Sequence, residues 1–151
     1  MRTPASIAGH PIHPMLVPLA IGLFIFSFVC DLFLVSGREG AWATVALYTM
    51  VGGIAGALLA AVPGLIDLLS LPEGPRRTAI IHMAINLTVV ALFVVNAWMR
   101  MRGADPRGTP IVLSGIALVL LVISGWLGGK MVYEHGVGVD TPATAPPLTR
   151  R

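Results

Sequence analysis

The residues with the widest chemical reach are four histidines, His10, His13, His82 and His135. Imidazole is the commonest metal ligand and the usual axial ligand of b-type haem, and its second nitrogen needs a carboxylate or carbonyl partner. His10 and His13 lie in Gly9-His10-Pro11-Ile12-His13-Pro14. The two prolines fix φ and remove backbone donors, so this stretch cannot be mid-helix. Pro14 suits a first helical position, which puts His13 near the N-cap. His82 sits in the apolar IIHMAIN, with Asn86 one helical turn on. Asp67 follows Pro63 by one turn, on the same helix face. An ionisable group inside an apolar span normally faces a bundle interior and pairs, so Asp67 and His82 are the expected pair, with Asp67 or Glu134 orienting a ligand.

Other chemistries lack their residues. The single cysteine, Cys30, stands inside an apolar run without CxxC or CxxCH company, which excludes an internal disulfide, a thiol-redox pair and c-type haem attachment. There is no GxSxG, HExxH, Walker loop or GxGxxG, so neither hydrolysis nor nucleotide use is signalled. The ten basic residues are scattered, without the run or stripe of a nucleic-acid site.

The elements that carry these histidines are set by the solvent. Of 151 residues, 56% are hydrophobic and only 11% charged, against roughly 25% charged in soluble domains. Mean hydropathy is +0.85. Four apolar runs, at 14–35, 42–69, 78–99 and 110–133, are each long enough to cross a bilayer. Short Gly-, Pro- and charge-bearing connections force antiparallel neighbours. The expected fold is an all-α membrane protein, four transmembrane helices in an up-down-up-down bundle over residues 1–139. A Pro/Thr/Ala-rich tail at 140–151 is expected to be disordered. Ala41-Trp42-Ala43 loosely mimics a signal-cleavage site, but the first run is long, contains Asp31 and precedes three more spans, so a retained helix is expected.

This topology assigns each polar residue to a membrane face. Both termini fall on one face, side A, together with all four histidines, Asp67, Lys130 and Glu134. Side B holds Asp31, Asn96, Arg38 and the arginine-dense third loop with Arg100, Arg102 and Arg107. Positive-inside counting is nearly balanced; that loop tips side B toward the cytoplasm of a bacterial inner membrane, leaving the termini outside. Asp31 and Asn96 are expected to pair structurally. Trp42, Trp98 and Tyr133 fit interfacial belts, and Trp126 is expected to pack inside the bundle. Gly52, Gly56, Ala60 and Gly64 recur every four residues, the small-xxx-small spacing that lets helices approach closely.

The ordered motifs resemble a known family. Gly9 to Phe24 (GHPIHPMLVPLAIGLF), Ala61 to Asp67 (AVPGLID), His82 with Asn86, and Gly125 to Val139 (GWLGGKMVYEHGVGV) are similar to the DUF2231 family of predicted bacterial membrane proteins. The resemblance covers nearly the whole chain except the tail and implies a four-span membrane domain. Fusion of some relatives to Rieske or cytochrome c-like domains implies membrane electron transfer and favours a haem. No such domain lies in this chain, so a separate redox partner would be needed.

Three expectations follow. The first is a redox module in which two histidines ligate haem b near side A, with His13 and His82 the foremost pair, His135 or His10 as substitutes, and Asp67, Asn86 and Glu134 supporting ligands or carrying protons. The second is a transition-metal or proton site, for binding or transport, made by His10, His13 and His82 with Asp67. The third is a structural subunit docking a partner through side A. The bilayer is the one certain partner, and the small-residue faces offer a surface for homodimerisation.

Overall fold

The computed structural model describes residues 2–38 and 40–139. The expected disordered tail at 140–151 lies outside the described residues. Four helices fill the chain: α1 (Ile12–Val35), α2 (Trp42–Ser70), α3 (Glu73–Met101) and α4 (Thr109–His135). All four are long and apolar enough to cross a membrane. Each packs on its sequence neighbour, and α4 returns to α1, which closes an antiparallel bundle with α1 diagonal to α3. The lipid-directed surface carries exposed apolar side chains such as Val122, Leu59 and Val119, an arrangement that only a hydrocarbon solvent makes favourable. The interior is narrow. Ala20, Phe24, Met50, Val89, Phe93, Ala97 and Ala117 form its core, and Phe24 stacks on Phe93 at 3.9 Å between ring centroids across the diagonal.

The helix ends follow local chemistry, with two departures from the sequence reading. α3 begins five residues before the expected span, because Glu73 suits a positive helix N-terminus and Pro75 is tolerated in a first turn. The N-terminal approach also folds into an element that the sequence did not suggest. β1 (Ser6–Ile7) and β2 (His10–Pro11) pair antiparallel, joined by Ala8 and Gly9 at φ of 50° and 80°. Two successive left-handed residues make the turn whose twist matches paired strands. Pro11 is the N-cap, so His13 lies inside the first turn of α1. At the far end, Gly136 takes the left-handed conformation at φ 64° and stops α4.

Candidate functional site

α1 and α3 both run from side A to side B. Their side-A ends bring His13 and His82 together, with ring centroids 6.3 Å apart and planes at 86°. The two rings are held the same way, each by its own hairpin partner. His13 Nδ1 donates to the Ala60 carbonyl on α2 at 2.8 Å. His82 Nδ1 lies 2.9 Å from both the carbonyl and the hydroxyl of Ser124 on α4. A carbonyl can only accept, so both Nδ1 atoms carry a proton, and in the neutral ring it is Nε2 that presents the lone pair. This is the tautomer and bracing that ligating histidines use. Pro63 has no N–H and removes one ladder bond in the α2 turn that receives His13.

Glycines seat both rings. A Cβ on Gly64 would stand 2.8 Å from His13 Nδ1, and one on Gly128 would stand 3.5 Å from His82 Cε1. The small-residue spacing therefore does more than bring helices close, since Gly64 makes room for an imidazole. The two Nε2 atoms differ. That of His82 accepts from Asn86 Nδ2 at 3.0 Å, while that of His13 has no hydrogen bond among the described residues.

The remaining expected site residues are placed elsewhere. Asp67 does not pair with His82. Its Oδ1 accepts the backbone N–H of Ala5 at 2.9 Å, and the Ala5 carbonyl in turn accepts from Ile12. Asp67 thus clamps the N-terminal hairpin over the side-A end of the bundle, a role hidden from periodicity because its partner is a backbone amide. His10 is exposed and its Nδ1 lies 3.0 Å from the Ala8 carbonyl within the hairpin turn. His135 is exposed at the end of α4, and Glu134 faces Lys130 at 3.7 Å rather than an imidazole. Among the described residues, no three His, Cys, Asp or Glu side chains gather as a metal-binding group. Trp126 is 79% exposed, so it faces the lipid and not the bundle interior.

The opposite end of the same diagonal carries a second polar assembly. Arg100 donates to both oxygens of Asp31, at 2.7 and 2.6 Å, and through Nε to Asn96 at 2.8 Å. Asn96 donates to the Pro110 carbonyl at 2.7 Å and to Ser114 at 2.9 Å. Asp31 and Asn96 do belong to one structural unit, with Arg100 between them. Sequence reasoning placed Arg100 with the loop cations; it belongs to α3 and turns inward.

The match to a family profile extends over residues 9–141, from the glycine before His10 to just past α4. The chain belongs to the DUF2231 family of predicted membrane proteins. The matched segment contains all four helices and both His13 and His82. No curated protein and no solved structure matches the chain.

Proposed function

We propose that this DUF2231 protein is a small membrane redox module in which His13 and His82 ligate a b-type haem near side A. The observation that carries the reading is the braced pair itself: two imidazoles from diagonal helices, each with Nδ1 tied to a backbone oxygen, the Nε2 of His13 without a hydrogen bond among the described residues and that of His82 held by Asn86. Two imidazoles that hold one metal centre at about 2.0 Å each have ring centroids roughly 6 Å apart, close to the 6.3 Å found here. The donor set therefore suits a bis-imidazole centre. Haem would supply one-electron chemistry; His13 and His82 would hold it, and the chain would supply their orientation and a low-dielectric surrounding. His82 would have to release Asn86 to bind. With side B on the cytoplasmic face, the centre would exchange electrons with a partner on the outer face.

Absorption spectroscopy of the detergent-purified chain from haem-replete cells tests this. A Soret band that disappears in both His13→Ala and His82→Ala is the expected result. Colourless protein overturns the haem assignment. If that colourless protein retained one copper or zinc ion per chain, lost on either substitution, the same pair would be a bare-ion site.

A further inference from the structure

The contacts along the α1–α3 diagonal share one register. His13 meets His82, Phe24 stacks on Phe93, and Asp31 pairs with Arg100. In every case the partners are 69 positions apart in sequence. The flanking helices repeat the pattern with their own constant offset of 64. His13 bonds the Ala60 carbonyl as His82 bonds that of Ser124. Ser27 Oγ donates to the Ala46 carbonyl at 2.8 Å, and Asn96 Nδ2 donates to that of Pro110 at 2.7 Å. Gly64 lies behind one imidazole and Gly128 behind the other. Buried positions also correspond: Ala20 with Val89, Met50 with Ser114, Gly53 with Ala117. When a position touches its own counterpart, it lies on a two-fold axis. Both hairpins cross the membrane in the same sense, so this axis runs along the bundle, as in transporters built from parallel repeats.

We infer that the transmembrane domain is two repeats of one helical hairpin, α1–α2 and α3–α4, with His13 and His82 as the equivalent residues on its pseudo-two-fold axis, and that Asn86 is the positioning residue that makes them unequal. The counterpart of Asn86 one turn beyond His13 is Val17, which has no donor. The Asn86 amide therefore occupies the lone pair of His82 alone. His13 is the open imidazole and meets an incoming electrophile or metal centre first. This asymmetry is independent of which centre, if any, the pair holds.

Acylation of the free imidazole lone pairs with diethyl pyrocarbonate, read residue by residue by mass spectrometry, tests the inference. The full chain is purified in detergent from haem-depleted cells, and exposed His10 and His135 report the reagent's activity. His13 is expected to react about fivefold faster than His82, the protection that one hydrogen bond confers. Asn86→Val should bring His82 up to the rate of His13. The exchange V17N/N86V should reverse the order. Equal rates in the unaltered chain, or no gain at His82 in Asn86→Val, would overturn the role of Asn86. A double exchange that folds, judged by helical circular dichroism, yet leaves His13 the faster residue would overturn the equivalence of the hairpins. None of these readings depends on colour, so they stand apart from the haem test.

Discussion

The two ends of the α1–α3 diagonal are built from equivalent positions and do opposite things. At side B, Asp31, Arg100, Asn96 and Ser114 saturate one another, and the Asp31 and Arg100 side chains are 0% and 3% exposed. In this buried ion pair every side-chain nitrogen and oxygen already has a partner, and it holds three helices in register. At side A the corresponding end carries two imidazoles braced from behind, of which His82 is also bonded in front by Asn86 while His13 has no such partner among the described residues. The comparison separates a lock from a candidate site. Burial alone does not distinguish the two ends; hydrogen-bonding capacity left on a rigidly held side chain does.

The largest effect should come from breaking the lock. Arg100→Met leaves the Asp31 carboxylate buried without its partner, a loss of about 3–5 kcal/mol. Thermal unfolding in detergent should show it, while the double change D31L/R100M recovers much of the stability. Full stability in Arg100→Met alone would mean that the side-B network is ornamental.

Next come the glycine seats. Gly64→Ala drives a Cβ into His13 Nδ1, whereas Gly128→Ala meets His82 at ordinary contact distance. The first should cost about 1–3 kcal/mol, the range for overpacking, and displace the His13 ring; the second should be nearly silent. Equal melting temperatures for the two variants would contradict the close seating of His13.

The clamp on the N-terminal hairpin is a smaller matter. Asp67→Ala leaves the Ala5 amide unbonded, which costs about 1–3 kcal/mol where water cannot reach and less where it can. The expected consequence is local: limited proteolysis within residues 2–11 should accelerate while cleavage elsewhere stays unchanged. Smallest of all, His10→Ala removes only a contact inside an exposed turn. It should shift the melting temperature by less than about two degrees, against a clear shift for His82→Ala, which strips Ser124 and Asn86 of a half-buried partner.

How much of this could be read beforehand differs by residue. His13 and His82 were identifiable as a pair because both are polar residues forced to one membrane face. Asp67 was recognisable as a buried carboxylate, but its partner was not, since a backbone amide leaves no trace in a side-chain pattern. Arg100 was misplaced because hydropathy stops counting at the first charge, and a helix that goes on one more turn can swing that charge inward. The repeat was hidden for a similar reason. Its two copies keep the same residue at few positions, such as His13 and His82 or Phe24 and Phe93, while the carbonyls that complete the pattern are common to every residue type.

By itself the sequence determined the solvent, the four crossings, the antiparallel order and the family, because these depend on summed apolarity and on loops too short for other connections. Only the tertiary structure decided which polar groups meet. Periodicity tells which side of a helix a residue occupies, not which helix lies opposite or at what height. In a bundle held by close packing in lipid, that choice falls to the shape of the small-residue faces. Here those faces set α1 and α3 on one diagonal, so that residues 69 positions apart face each other from His13 to Arg100.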